Sequence, residues 1–480
     1  MNLAFANKLP ACEPLDNNQP ELKLVVVNFI EPNKQQPKFK LVVVNFIEPN
    51  KQPELKKQQG PKKQAKAEMA DILPEGWERK KLSDLALIDK ESLKNSTPPN
   101  YQFKYIDISC VSRGVINLPS NYMEFKNSPS RARRVVQNGD ILMSTVRPNL
   151  QSFAYFDKNN KNYIASTGFA VIRAKKNNSG RFLFYSIFSD GVTNQIDKII
   201  VGSNYPAINS SDVKNLFLIT PPLPEQKKIA SILSSVDEVI KKTTAQVAKL
   251  KDLKTSLMQE LLTRGIGHSE FKDSPVGCIP VEWEVGLLSD FSEINPRLKQ
   301  KSNLTKTTKV SFIKMEDVST SAKVINKKTK LYYQVSKGFT SFQNNDVLVA
   351  KITPCFENGK GGYVENLVNG VGFGSTEFHV IRANKKSYPE FLYHFSTYPS
   401  FRMKAESNMT GTAGQRRVPT DFFRTYQVAL PPLKEQKEIA KILTSVDQKI
   451  TTTNQKLSAL THTKKALMQD LLTGKKRVTV

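Results

Sequence analysis

The side chains in this sequence best placed to act on another molecule are arginines, lysines and amides gathered in loops. Arg131, Arg133, Arg134, Arg147, Asn149 and Asn204 fall in the first half of the chain, and Lys351, Lys360, Gln415, Arg416 and Arg417 in the second. The chemistry open to such a set is recognition. A guanidinium takes guanine bidentately, an asparagine or glutamine does the same for adenine, and lysine holds phosphate. A single basic loop residue is more often only solvated, so the clusters Arg131 to Arg134 and Gln415 to Arg417 are the stronger candidates. The formal net charge of +27 over 480 residues makes a polyanion the natural counter-surface. Charge alone leaves acidic lipid, or merely solvated lysines, as alternatives.

Bond-making chemistry has less to stand on. The glycines Gly370, Gly372 and Gly374 form a GxGxG string, but it sits in a strand-like run without the strand–turn–helix context of a dinucleotide loop. Gly359-Lys360-Gly361 lacks the spacing and hydroxyl of a Walker loop, and Pro98-Pro99 lacks the flanking residues of an amino-methyltransferase motif. Cys12, Cys110, Cys278 and Cys355 form no CxxC pair, and the histidines are His268, His379, His394 and His462, so no metal site is expected. No catalytic residue and no cofactor on this chain are expected. The longest apolar runs, such as Leu24 to Ile30, are far short of the ~20 residues of a membrane span, and no secretory signal pattern stands at the start. The expected location is the cytoplasm.

What must position the loop residues is a scaffold present twice. Leu73-Pro74-Glu75-Gly76-Trp77-Glu78 returns as Ile279-Pro280-Val281-Glu282-Trp283-Glu284, at an offset of 206, and Asp140 and Pro148 recur as Asp346 and Pro354 at the same offset. Ser166-Thr167 and Ile172-Arg173-Ala174 recur at an offset of 209, and PPLPEQKKIASILSSVD from Pro221 recurs as PPLKEQKEIAKILTSVD from Pro431 at 210. Two units of about two hundred residues are therefore expected, with boundaries near 71 to 275 and 276 to 480. The tails are nearly identical, whereas 91 to 139 and 297 to 345 share little. One frame carries two different surfaces.

Each tail has a heptad phase that predicts a helix of about 40 residues, ~60 Å long. The seam in the first is Ile229, Leu233, Val236, Ile240, Thr243, Val247, Leu250, Lys254, Leu257 and Leu261. In the second it is Ile439, Leu443, Val446, Ile450, Thr453, Leu457, Leu460, Lys464, Leu467 and Leu471. Neither stripe is stable exposed, and mutual packing of the two helices is the economical arrangement. Holding two globular units at opposite ends of such a pair requires it to be antiparallel.

Upstream of the prolines, runs such as Lys104 to Ile108, Asp140 to Met143, Phe169 to Ile172, Asp346 to Val349 and Phe378 to Ile381 predict strands, with short helices near Arg181 to Phe188 and Pro389 to Tyr398. The fold class is α+β: two mixed α/β domains from an internal duplication, joined by two long helices packed as an antiparallel coiled coil. The domain reading is an N-terminal extension at 1–70, a first domain at 71–222 with its helix at 223–264, and a linker at 265–276. A second domain follows at 277–432 with its helix at 433–474, then a basic tail at 475–480. The extension holds a tandem repeat of 17 residues, each copy containing KLVVVNFIEPNKQ, and with Met69 near the start of the first unit, residues 1 to 68 are expected to be dispensable.

The paired openings at Trp77 and Trp283 and the paired PPLxEQKxIAxIL tails at Pro221 and Pro431, leading into long helices, make the chain resemble the specificity subunits of type I restriction-modification systems. The resemblance covers residues 71 to 480; the N-terminal extension departs from it. It implies two target recognition domains, each reading one half of a bipartite site in double-stranded DNA, with the helices as spacer. It also implies partners: two modification subunits carrying S-adenosylmethionine for adenine methylation, and restriction subunits using ATP with Mg to translocate and cut. Two other readings stay open from residues alone, a non-catalytic DNA- or RNA-binding structural protein and a stand-alone DNA methyltransferase.

Overall fold

A computed structural model describes residues 73–159, 162–200, 206–298, 304–412 and 414–479. The 17-residue repeat, Cys12 and Asn204 lie outside the described residues. The chain divides into two compact units: the first ends at Lys241 and resumes at Ala459, and the second is Lys242–Ser458. Neither unit is a sequential half, because each takes a piece of both long helices.

In the first unit the order is β1 (Glu78–Lys81), α1 (Leu82–Leu85), β2 (Ala86–Ile88), β3 (Gln102–Ile106), β4 (Met123–Glu124), β5 (Ala132–Val136) and β6 (Ile141–Ser144). There follow β7 (Phe153–Tyr155), β8 (Tyr163–Ser166), β9 (Phe169–Ala174), α2 (Gly180–Ser186), α3 (Asp190–Ile199), α4 (Ser210–Asn215), β10 (Phe217–Thr220) and the long α5 (Leu223–Leu261). The strands make one four-stranded sheet in the order β4-β3-β8-β5, a second in the order β2-β9-β6-β7, and a β1-β10 pair. Among the described strands of this unit, only β3 and β8 run parallel. β6 is buried along its whole length, which is why it reads as an unbroken apolar run, not as an alternating one.

Apart from the Val111–Ser112 and Val115–Ile116 hairpin of the first unit, which has no strand counterpart among the described residues of the second, the second unit repeats these three sheets strand by strand. Its elements are β11 (Glu284–Leu287), α6 (Leu288–Phe291), β12 (Ser292–Ile294), β13 (Lys309–Ile313), β14 (Lys328–Leu331), β15 (Thr340–Gln343), β16 (Val347–Ala350), β17 (Gly361–Tyr363), β18 (Val371–Gly374) and β19 (Phe378–Ala383). After them come α7 (Pro389–Ser396), α8 (Pro399–Ser407), α9 (Thr420–Thr425), β20 (Gln427–Leu430) and α10 (Leu433–Leu472). The sheets are β14-β13-β18-β15, β12-β19-β16-β17 and β11-β20, with β13 and β18 as the parallel pair. The dissimilar segments 91–139 and 297–345 thus contribute equivalent strands, β3 to β5 and β13 to β15. A half-buried strand asks only for alternation and turn chemistry, so its sequence can drift while its place in the sheet is kept. The GxGxG string lies within and beside β18, where the ring of Phe342 occupies the space a Cβ on Gly372 would need.

The main core of the first unit gathers Trp77, Leu82, Met143, Phe182, Ile229 and Leu233 with Leu471 and Leu472 from the end of α10. The second core mirrors it with Trp283, Leu288, Val349, Phe391, Ile439 and Leu443, joined by Met258 and Leu261 from the end of α5. Of the remaining seam positions, Thr243, Val247 and Thr453 are buried, and Val236, Ile240, Leu250, Leu257, Val446, Ile450, Leu457, Leu460 and Leu467 are half-buried. The seam lysines end on carboxylates. Lys464 Nζ lies 2.6 Å from Asp237 in the first unit, and Lys254 Nζ lies 2.8 Å from Asp447 in the second.

Residues 265–276, expected to be a linker, are mostly exposed but make contacts of their own: Ile266 N donates to Glu435 Oε1 at 2.8 Å, and Phe271–Lys272 pairs with Ile279–Pro280. The basic tail is likewise anchored through Arg477, which lies 2.9 Å from Glu225. The reason is a carboxylate in each unit, Glu225 buried and Glu435 half-buried, that takes more than one donor.

Candidate nucleic-acid interface

The frame under the recognition loops is built from the repeated motifs. Trp77 Nε1 donates to Glu225 Oε2 at 3.2 Å, and Trp283 Nε1 donates to Glu435 Oε2 at 3.0 Å. Arg477 completes the first carboxylate, and His268 meets the second at 2.9 Å. The next motif residue, glutamine, ties helix to domain. Gln226 donates to Pro221 O at 2.9 Å and accepts from Ser179 N at the start of α2 at 2.9 Å. Gln436 donates to Pro431 O at 2.8 Å and accepts from Tyr388 N before α7 at 2.7 Å. The Glu-Gln of each tail is therefore a fastening between the helix start and the domain.

A second fastening explains the recurring Asp140 and Asp346. Arg173 on β9 grips Asp140 through two bonds of 2.8 Å, and Arg382 on β19 grips Asp346 in the same way. Each aspartate also accepts a backbone N–H, from Gln137 at 2.8 Å and from Gln343 at 2.7 Å. Asp140, held in these bonds, pushes the pKa of the Arg173 guanidinium above its ordinary value. Asp140 and Asp346 sit directly before β6 and β16, whose far ends launch the loops that carry Arg147, Asn149, Lys351 and Lys360.

In the first unit the loop after β6 is drawn onto residues 206–208. Arg147 N donates to Pro206 O at 2.7 Å, and Ile208 N donates to Thr145 O at 2.9 Å. In the second, the loop after β16 is drawn onto residues 416–418: Thr353 N donates to Arg416 O and Val418 N to Lys351 O, both at 2.9 Å. Arg147 and Asn149 are thereby brought together, and so are Lys351, Gln415, Arg416 and Arg417. His379, beneath the second loop pair, sits 2.8 Å from Val418 O, and burial lowers its pKa to about 4.

The candidates divide by exposure. Arg131, Arg147, Asn149, Gln415 and Arg416 are exposed, whereas Arg133, Arg134, Lys351, Lys360 and Arg417 are half-buried. Four of the second group have structural partners: Arg134 lies 3.0 Å from Asp89, Arg133 stacks over Phe125 at 4.9 Å, Lys360 donates to Met315 O at 2.9 Å, and Arg417 lies 3.0 Å from Glu377. Arg416 has a looser contact, 3.7 Å from Glu357.

Residue-type reasoning passed over Leu150, an apolar side chain 60% exposed between Arg147 and Gln151. One signal was available, because the offset between the copies is 206 at Pro148 and Pro354 and 208 by the strands that follow. The loops differ in length here.

Comparison with known proteins accords with this doubled frame. The type I restriction modification DNA specificity domain matches residues 74–251 and again 280–462. The type I restriction enzyme EcoAI specificity subunit of Escherichia coli is 40% identical over 167 residues, which cover 34% of this chain and 27% of that protein. The EcoEI specificity subunit, also of Escherichia coli, is 34% identical over 206 residues, with 42% of this chain and 33% of that one covered. The chain thus spans about a third or less of those two relatives. The MjaVIII specificity subunit of Methanocaldococcus jannaschii is 24% identical over 428 residues, covering 85% of this chain and 94% of that one. Among solved structures, the S subunit of a type I restriction-modification system from M. genitalium superposes with a TM-score of 0.52 at 14% identity, over 85% of this chain and 98% of that one. That likeness is one of fold. With one frame folded twice and each copy matched separately, the chain belongs to the type I restriction modification DNA specificity domain family.

Proposed function

We propose that this chain is the DNA sequence-specificity subunit of a type I restriction-modification complex and carries out no bond-making step itself. Each domain, 71–222 and 277–432, reads one half of an asymmetric bipartite site. The helices pack as an antiparallel coiled coil, set the spacing of the half-sites and dock two modification subunits. Those subunits supply S-adenosylmethionine and methylate adenine; restriction subunits supply ATP-driven translocation and cleavage. The antiparallel packing is supported by contacts inside each unit. In the first, Glu225 meets Arg477 and the later Asp237 meets the earlier Lys464. No helix among the described residues is long and apolar enough to cross a membrane.

The observation that carries this reading is the pairing of one order of three sheets, shared by both units, with different exposed loop residues. A purely structural nucleic-acid binder has no use for two divergent surfaces on one frame. The test is to exchange residues 91 to 210 for the corresponding segment of another such subunit and map the methylated adenines. One half of the site should change while the other half and the spacing persist. A change in both halves together, or in the spacing alone, would sink the two-reader scheme.

A further inference from the structure

Leu150 occupies a position that packing does not explain. It is 60% exposed, yet the turn presenting it is fixed on both sides. Residues 148–150 form a single 3-10 turn flanked by Arg147 at φ 48° and Gln151 at φ 52°, both in the left-handed region without being glycine. Such conformations persist where the surroundings over-determine them, and they concentrate at sites of function. The surroundings here do so. Leu150 N donates to Arg147 O at 3.0 Å and Gln151 N to Pro148 O at 2.9 Å. Ser144 Oγ donates to Val146 O at 2.7 Å, and Gln151 is buried and donates from Nε2 to Thr193 Oγ1 on α3 at 2.9 Å. An apolar side chain is thus held out into solvent on a strained, pinned turn, beside the exposed Arg147 and Asn149.

Resting on the reading of the chain as a DNA-specificity subunit, we propose that Leu150 reads the 5-methyl group of a thymine in the major groove of the half-site recognised by the first unit. The chemistry of base edges supports the choice. The thymine methyl is the apolar feature of the major-groove edges, and an apolar side chain on a rigid turn is the complement to it, where Arg147 and Asn149 supply hydrogen bonds. The corresponding loop of the second unit is longer and is anchored by Thr353 Oγ1 donating to Glu357 at 2.6 Å. Methyl readout by this turn therefore belongs to one half-site only.

The test uses the full chain assembled with its modification subunits, after the methylated site has been mapped. Duplexes carrying that site are made with each thymine replaced singly by deoxyuridine, which removes only the methyl group. For the native chain, one replacement, in the half-site of the first unit, should weaken binding about fourfold, equivalent to the ~0.8 kcal/mol of one buried methyl. For Leu150→Ala, thymine and deoxyuridine at that position should bind alike, and Leu150→Met should keep the discrimination. Leu150 is exposed, so thermal unfolding of both variants should match the native chain. If no thymine shows a methyl effect that disappears in Leu150→Ala, the inference is overturned. It is equally overturned if Leu150→Ala impairs assembly with the other subunits and leaves discrimination untouched. A native assembly that methylates without sequence preference would overturn the specificity reading itself, and this inference with it.

Discussion

Glu225 and Glu435 each hold a buried tryptophan N–H and a basic side chain at the start of a long helix. Replacing Glu435 by alanine leaves the indole N–H of Trp283 and the backbone N–H of Ile266 without their acceptor. Ile266 is exposed and its N–H can turn to water, so the loss should be about 1–3 kcal/mol, the cost of the one indole donor left unpaired. Chemical denaturation of the variant checks it, and a loss below about 1 kcal/mol would show that solvent substitutes for the carboxylate. The histidines make a second residue-scale prediction. Burial lowers the pKa of His379 and of His394 to about 4, with Lys254 adding to the effect at His394 and Asp447 opposing it. The unfolded chain takes up protons near pH 6.5 and the folded one only near 4, so stability is present above 6.5 and lost as pH falls between them. By pH 5 each histidine should have cost about 2 kcal/mol. Both lie in the second unit, and the first carries Tyr185, donating to Asp237, where the second has His394. Hydrogen exchange should therefore show the second unit opening first on acidification, and His394→Tyr should halve its pH dependence. Equal acid sensitivity in the two units would contradict this.

The long helices show what a seam lysine is for. Lys254 and Asp447 are both largely buried in their contact, so removing one partner strands the other. Lys254→Met alone should destabilise by about 1–3 kcal/mol, whereas Lys254→Met with Asp447→Leu should recover most of that loss, because a well-packed apolar pair replaces a buried ion pair at little cost. A double variant no better than the single would mean that the pair is worth more than its desolvation. Charged residues at both Ile229 and Val236 should reduce assembly with modification subunits, checked by co-purification of the folded chain. Elements differ in how far the sequence discloses them. The runs at 141–143 and 347–350 are legible because central strands are buried on both faces and read as continuous apolar runs, and the heptads because they recur in both tails. The equivalence of β3 to β5 with β13 to β15 is not legible by likeness, since alternation survives almost any substitution that keeps the buried face apolar. Trp77 and Glu225 are 148 residues apart, and nothing local announces such a contact. The bond from Ile266 N to Glu435, 169 residues away, is equally silent in the local sequence. At the candidate site, residue type singled out arginines, but only burial separates Arg131, Arg147 and Arg416, which face solvent, from Arg134 and Arg417, which hold carboxylates of the frame.

At the scale of the molecule, the charge of +27 should make DNA affinity fall steeply with salt. Replacing Arg131 or Arg416 by glutamine should lower the salt slope by about one where the side chain meets a phosphate, and should relax one base preference where it meets a guanine. Titrations of specific and random duplexes across salt concentrations separate the two outcomes, and an unchanged slope with unchanged preference would remove that residue from the interface.

The make-up of the first unit carries a consequence for synthesis. Residues up to Lys241 leave the ribosome early, but the unit also needs Ala459 onward, with Leu471 and Leu472 on its core and Arg477 on Glu225. The second unit, Lys242–Ser458, has all its parts before those residues are made. The domain translated first is therefore completed last, and during elongation it exposes Ile229, Leu233 and a half-paired buried carboxylate. Chains truncated after residue 458 and released should yield a protease-resistant second unit and a first unit that is still cleaved. Such chains should bind chaperones through the uncovered start of α5, and the burden should vanish in chains that extend through Arg477.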